Sequence, residues 1–422
     1  MSTISKSQSS QLKEIERCRI SGSTHLVSVL NLGEQSLTGV FPKSPDERVS
    51  IGPLELVWCP ESGLLQLKHS CSPEEMYGEN YGYRSGLNAS MVAHLTRKAH
   101  ALERIRPLQE GEWILDIGSN DATLLRAFQT KATRKIGIDP TAEKFRSFYA
   151  DEIALLPTFF TADAYLNGSR NRRAAIITSI AMFYDLERPS EFTRDIAESL
   201  APDGIWHFEQ SYMPSMLRTN SYDTVCHEHL EYYSLAVVND LLQSCGLRIV
   251  NVQMNSINGG SFAVTACHKN AKFESNTPLI NWMLRQEENL GLLSPKPFRQ
   301  FEERVFQHRL DLRRLMEALN SDGKKVLGYG ASTKGNVLLQ FCGLTRSLIP
   351  AIADINPDKF GAYTPGTGIP IISEPEAKAM SPDYFLVLPW HFKESILQRE
   401  KQFLASGGKL VFPLPEIEIV GD

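Results

Sequence analysis

Four short apolar runs alternating with helical stretches dominate the middle of this chain. They read EWILDIG at 112–118, RKIGID at 134–139, AAIITSI at 174–180 and GIWHFE at 204–209. Strand-like runs that recur with helices between them predict a doubly wound α/β domain built on a mainly parallel sheet. The pattern begins after Asn88, where Met91, Leu95, Ala99 and Leu102 fall near a 3.6-residue period, and continues to roughly residue 265.

The flanking regions differ in character. From about residue 17 to 85, apolar runs such as THLVSVLNLG and GPLELVWC are broken by Gly, Pro and Ser, which predicts a small β-rich module. Residues 275–320 are charged and helical. A second α/β set follows in KKVLGYG, LIPAIADI, YFLVLP and GGKLVFPL. We therefore expect three parts, 1–87, 88–265 and 266–422, since 422 residues exceed one ordinary core. Two nucleotide-type sheets suggest one for a donor and one for an acceptor.

A formal charge of −5 gives no global basic field, which argues against nucleic acid as a partner. No apolar run reaches the roughly 18–20 residues of a membrane helix, and the polar first residues lack the apolar core of a signal peptide. A cytoplasmic protein with no membrane partner is expected. The seven dispersed cysteines are expected to be thiols.

The stretch from Ile114 to Leu124, ILDIGSNDATL, is a strand, a glycine turn and a helix start. A dinucleotide site would need G-x-G-x-x-G here for close backbone approach to a pyrophosphate. This loop keeps Gly118 and adds Asp116 and Asp121, which repel a pyrophosphate but suit a ligand with a cationic sulfonium and an ammonium group. About 23 residues after Asp116, Asp139 ends a second strand, where an acid binds ribose hydroxyls. These features predict a site for S-adenosylmethionine (SAM), with Asn120 in the loop. Asp121 reads equally as a helix cap. Ser179, Ala181 and Met182 follow another strand and either cover the adenine and methyl or form a plain connecting loop.

The unusual segment Tyr222-Asp223-Thr224-Val225-Cys226-His227-Glu228-His229-Leu230 groups three titratable side chains in a row at 227–229. If extended, His227 and His229 share one face and Glu228 the other. Methyl transfer to carbon needs a proton removed next to a carbonyl, and a histidine is a natural base for that step. A His-x-His metal pair and a satisfied surface network are the competing readings. Farther on, Gly330, Ser332, Lys334 and Asn336 lie in a strand-to-helix loop that either holds a phosphate or is a tight turn without ligand.

As a set, LDIGSND at 115–121, HEH at 227–229, NGGSFAV at 258–264, GYGASTKGN at 328–336 and PWHF at 389–392 resemble the sugar C-methyltransferases that act on nucleoside-diphosphate-linked 4-keto-6-deoxyhexoses. The resemblance covers nearly the whole chain. It implies an N-terminal zinc module, a central SAM domain and a C-terminal Rossmann-like domain, with a nucleoside-diphosphate sugar bound between domains. It further implies His229 as the base, Glu228 and His227 in support, and a contributing tyrosine matched by Tyr81 or Tyr83. His391 is either a sugar contact or a packed aromatic neighbour.

Three positions depart from that family. Ser21 and Ser62 stand where each of two C-x-x-C pairs has its second thiolate, leaving Cys18 and Cys59, so zinc is not expected. His69 and Cys71 lie close in sequence and are the available substitutes. Ala122 replaces a glycine, which is costly only if φ is positive. Cys226 stands where some members have tyrosine. An O- or N-methyltransferase and a non-catalytic SAM-binding descendant remain the alternative readings.

Overall fold

The structure, a computed structural model, describes residues 12–71, 84–130 and 133–421. Tyr81 and Tyr83 lie outside the described residues. The first region holds β1 (Lys13–Glu14), β2 (Val27–Ser36), β3 (Ile51–Trp58), β4 (Leu65–Leu67) and β5 (His69–Ser70). The middle region supplies β6 (Trp113–Ile117), β7 (Arg134–Ile138), β8 (Ile153–Leu156), β9 (Ala174–Ile180), β10 (Leu200–Ser211), β11 (Glu231–Tyr232), β12 (Leu247–Asn255) and β13 (Ser261–His268). The last region has β14 (Val326–Tyr329), β15 (Ile352–Asp354), β16 (Ile371–Ser373), β17 (Tyr384–Val387), β18 (Lys409–Phe412) and β19 (Glu418–Val420).

The central sheet runs β12-β13-β10-β9-β6-β7-β8. Its first five strands in chain order pair in parallel, and β13 is antiparallel to both neighbours. Ala174 to Ile177 are buried without alternation, as expected of a strand covered on both faces by helices. Successive crossovers diverge between β6 and β9, and ligands of such sheets bind at the carboxyl ends of the strands beside this divergence. The last sheet, β16-β15-β14-β17-β18-β19, repeats the arrangement with its divergence between β14 and β17 and with β19 reversed. The fold is thus α/β with two Rossmann-like sheets and a small β-rich N-terminal region.

That region does not stand alone. Its sheet runs β11-β4-β3-β2, so a strand just after the HEH triplet completes it. Trp58 packs on Phe298 at 5.4 Å between ring centroids, within one core that continues through Phe301 and Val305 into the last sheet. Burial of such side chains is worth roughly 1.5–3 kcal/mol each. The long helix Lys296–Ser321 therefore joins the first sheet to the last.

The helix Ala89–Ile105 buries Leu95, Ala99 and Leu102 as its periodicity predicts, with Asn88 capping its start. It also buries His94 and Lys98, which apolar periodicity did not indicate. Both are held by Glu209 on β10 at 2.6 Å. Burial raises the Glu209 pKa, but the His94 hydrogen bond and the Lys98 ammonium outweigh it and hold the carboxyl down at about 2.

Candidate active site

Adjacent strands β6 and β9 end in Gly118 and Ala181, both exposed and left-handed, with φ of 72° and 55°. The Met182 side chain lies on Gly118: a Cβ added there would meet Met182 Cγ at 3.1 Å. Asp116 sits beneath, its Oδ1 accepting from the Thr178 hydroxyl at 2.6 Å. Burial, reinforced by the charge of Asp139, pushes the Asp116 carboxyl up to about 7. Two acids at neighbouring strand ends suit a cationic ligand.

Asp139 shapes the loop as well as facing it. Its Oδ2 accepts from Asn120 N–H at 2.8 Å, and its Oδ1 accepts from both N–H and O–H of Thr141 at 2.7 Å. The last sheet repeats this device: Asp354 accepts from Ala331 N–H at 2.8 Å and Asn356 N–H at 2.7 Å. Asn120 is held in the left-handed region at φ 48°, and its Oδ1 accepts from Ser85 N–H at 2.9 Å. Asp121 ties the start of the next helix to the crossing segment, its carboxylate accepting from the Thr123 hydroxyl at 2.6 Å and from Gly86 N–H at 3.0 Å. Ser85 and Gly86 thus cross over the loop. Ser179 faces inward, its hydroxyl accepting from the Trp206 indole at 3.0 Å.

Ala122 has φ 59° and is fully buried. The costly case therefore holds, since a left-handed conformation costs an L-residue roughly 1–2 kcal/mol.

The HEH triplet is not extended. His227 and Glu228 form a turn closed by His229 N–H donating to Cys226 O at 3.1 Å, which sends the two histidines in different directions. His227 points to the first module, with its Nε2 3.1 Å from Gly52 O, and burial lowers its pKa to about 4. The Glu228 carboxylate lies against Gly39, where an added Cβ would sit 2.1 Å from Oε1. Burial raises its pKa.

His229 is turned toward the donor side. Its ring lies 4.3 Å from the Tyr184 ring, and Leu230 N–H donates to Tyr184 O at 2.8 Å. Tyr184 belongs to the same loop after β9 as Met182. The Nδ1 of His229 is 2.9 Å from Thr224 O; a carbonyl only accepts, so Nδ1 carries the proton and Nε2 keeps its lone pair. Burial, with the Lys334 charge behind it, lowers the ring's pKa to about 3.

The last region closes the cluster. Trp390 donates its indole N–H to Asp223 Oδ2 at 2.8 Å, while Asp223 Oδ1 is buried with no hydrogen-bond partner. Lys334 acts electrostatically on Asp223, Cys226, His229 and His391. Its loop companions have other duties. Ser332 caps the helix Thr333–Cys342 by accepting from Gly335 N–H at 3.0 Å, and Asn336 Nδ2 donates to Thr38 O at 2.8 Å. Gly330, at φ 80°, leaves no room for a Cβ beside Pro389. His391 packs on Phe392 at 4.3 Å and also lines a cavity of about 440 Å³ with Arg218, Met254, Gly259 and Trp390.

The whole chain has a relative of matching length. C-methyltransferase NovU of Streptomyces niveus is 31% identical over 413 residues, covering 97% of this chain and 98% of that protein. The chain belongs to the SAM-dependent C-methyltransferases. Three family descriptions match it in succession: a putative zinc binding domain at 18–77, a methyltransferase domain at 91–252 and a C-methyltransferase C-terminal domain at 256–415. Among solved structures it is similar to a chain of the complex between the Haloferax volcanii Trm112 methyltransferase activator and a putative methyltransferase. That likeness has 18% identity and a TM-score of 0.35, and covers 43% of this chain and 94% of the other. Mitomycin 7-O-methyltransferase MmcR gives 18% identity and a TM-score of 0.33, covering 43% and 55%.

The structure brings the methyltransferase's predicted residues into two groups. Asp116, Gly118, Asn120, Asp139, Ala181 and Met182 lie at or just after the ends of β6, β7 and β9, whereas His229 and His391 lie within the electrostatic reach of Lys334 and Glu228 lies against Gly39. Gly39, Tyr184, Asp223 and Thr224 belong to the second group; the sequence reading assigned Gly39, Asp223 and Thr224 no role, and took Tyr184 only as part of the loop at 179–185 that could cover the adenine and the methyl. Asp223 and Thr224 lay in the segment it quoted; Gly39 carries no local signal, because its partner is 189 residues away by number (228 − 39). Among the described residues no group of three His, Cys, Asp or Glu is placed to hold a metal, and no helix is long and apolar enough to cross a membrane.

Proposed function

We propose that this C-methyltransferase adds a methyl group to the carbon alpha to the keto group of a nucleotide-linked 4-keto-6-deoxy sugar, with His229 as the base. The observation that carries the reading is the contact of His229 with Tyr184, which sets an unprotonated imidazole nitrogen beside the loop covering Gly118. SAM supplies an electrophilic methyl on a positively charged sulfur. Asp116 and Asp139 favour that charge, and Gly118 and Ala181 leave the strand ends open to it.

On the acceptor side, His229 Nε2 takes the proton from the carbon next to the carbonyl, and the C–H electron pair forms an enolate. Lys334 offsets the negative charge as it develops on oxygen. Bound SAM, held on the Asp116 and Asp139 side, would supply the methyl for the carbon that His229 has deprotonated. Glu228, against Gly39, holds a sugar hydroxyl in this reading. Arg218, exposed beside the cavity next to His391, supports an anionic extension such as a diphosphate. The resemblance adds Tyr81 or Tyr83 to the acceptor side.

The test is isotope exchange. Incubation with a 4-keto-6-deoxy sugar nucleotide in deuterium oxide, without SAM, is expected to wash the alpha proton out, and His229→Ala is expected to stop the exchange while SAM affinity stays within about twofold. Normal methyl transfer without exchange would count against the carbon-acid mechanism and favour an O- or N-methyl acceptor, whereas His229→Ala at near-normal turnover would eliminate His229 as the base.

A further inference from the structure

The first module carries two copies of one small motif. Cys18-Arg19-Ile20-Ser21-Gly22 and Cys59-Pro60-Glu61-Ser62-Gly63 both read Cys-x-x-Ser-Gly. They fold alike. Gly22 N–H donates to Cys18 O at 2.9 Å and Gly63 N–H to Cys59 O at 2.8 Å, while the Cys18 and Cys59 N–H groups donate to Ser23 O and Leu64 O at 2.8 and 2.9 Å. Both glycines have φ 72°. The two turns face each other with their side chains crossed: Cys18 Sγ is 3.2 Å from Ser62 Oγ, and Cys59 Sγ is 3.5 Å from Ser21 Oγ.

Four side chains converging from two matched turns is the layout of a four-ligand metal site. The donors do not suit one. Zinc in structural sites takes thiolate, imidazole or carboxylate, and two neutral hydroxyls supply no compensating charge. His69 and Cys71 do not complete the set: Cys71 packs with Leu37 in a cluster separate from the one holding Cys18 and Cys59, and His69 faces Glu14 at 3.9 Å.

We infer that crossed Cys–Ser hydrogen bonds replace a metal ion in closing this module, and that the two turns keep the geometry to bind one zinc once both serines are cysteines. Cys18 and Cys59 are almost fully buried, and each sulfur finds its hydroxyl in the opposite turn, so no polar atom of the four is stranded. Closure matters to the acceptor cluster. Arg19, inside the first turn, donates to Leu67 O at 2.7 Å and Ser70 Oγ at 3.1 Å and lies 3.9 Å from Glu231, two residues beyond His229.

The full-length protein tests this directly. Metal analysis of the wild type is expected to find no stoichiometric zinc, and EDTA to leave its thermal midpoint unmoved. S21C/S62C is expected to take up one zinc per chain, to show the thiolate-to-metal absorption of a tetrahedral site with cobalt(II), and to gain a midpoint that chelation reverses. S21A/S62A is expected to melt lower than wild type, with no recovery on adding zinc. Stoichiometric zinc in the wild type whose removal lowers the midpoint would overturn the inference. So would an S21C/S62C protein that folds by circular dichroism yet binds no cobalt(II), or an S21A/S62A protein with an unchanged midpoint.

Discussion

The indole N–H of Trp390 reaches Asp223 Oδ2 at 2.8 Å across 167 residues of sequence. This bond ties the loop after β17 to the segment that leads into His229, with both partners buried. A hydrogen bond to a charged group is worth roughly 1.5–3 kcal/mol, and losing one partner inside a protein strands the other. Trp390→Phe is therefore expected to destabilise the protein by about that amount. Combined with Asp223→Asn, the loss should fall short of additive in a denaturant-based double-mutant cycle. Strict additivity would show that the contact carries no energy of its own.

SAM affinity is expected to depend on pH through Asp116. Its carboxyl titrates near 7, raised by burial and by Asp139, so below that pH a cationic ligand must expel a proton to bind. Affinity should fall by as much as about tenfold per pH unit below 7 and level off above it. Asp116→Asn should bind more weakly and lose the slope. Calorimetry in buffers of different ionisation enthalpy would reveal the proton release; identical heats at pH 6 would count against a coupled Asp116.

His229 should contribute no acid limb to the rate profile between pH 5 and 9, because its pKa is already lowered to about 3 by burial and by Lys334. Lys334→Met removes one of those two causes, so the imidazole pKa should rise while turnover falls. Following the ring protons by NMR against pH would check the direction. An unmoved titration would place the ammonium too far away to serve the enolate.

Gly39→Ala is expected to separate activity from stability. The new Cβ would sit 2.1 Å from Glu228 Oε1, the far end of a flexible side chain, so the carboxylate must move while the backbone need not. A stability change under about 1 kcal/mol with a tenfold or greater loss of turnover is expected. Wild-type rates would remove Glu228 from the acceptor site.

At Ala122, a β-branched residue should fail. Its φ of 59° suits glycine, and valine there would add branching strain to a fully buried position. Ala122→Val is expected to cost roughly 2–3 kcal/mol in denaturant unfolding, the sum of left-handed strain and overpacking. A cost within error of zero would mean that the loop relaxes to another conformation.

Much of the geometry at the ends of β6 and β7 was legible in the primary structure because its logic is local. An apolar run that ends in Asp116 and Gly118, and a second that ends in Asp139, state their own strand and turn. Parallel pairing then brings the two ends together without help from distant residues. The capping reading of Asp121 and the cost of Ala122 were likewise posed by sequence, though φ was needed to settle the latter.

The cluster around His229 was legible only as a list. The HEH triplet invited an extended reading, but Leu230 N–H bonds Tyr184 O and β11 adds to the first module's sheet, and those pairings bend the triplet into a turn. Lys334 lies in a loop that suggested phosphate; there the backbone N–H of Ala331 is taken by Asp354 and that of Gly335 by Ser332, and the ammonium's charge bears on His229. By itself, then, the sequence determined the sheets, their loops and the acids at their ends, since hydrophobic period and turn chemistry act over a few residues. Which side chains face one another across Gly39, His229, Lys334 and Trp390 was decided by tertiary structure, because burial and long-range hydrogen bonding select partners that no local pattern encodes.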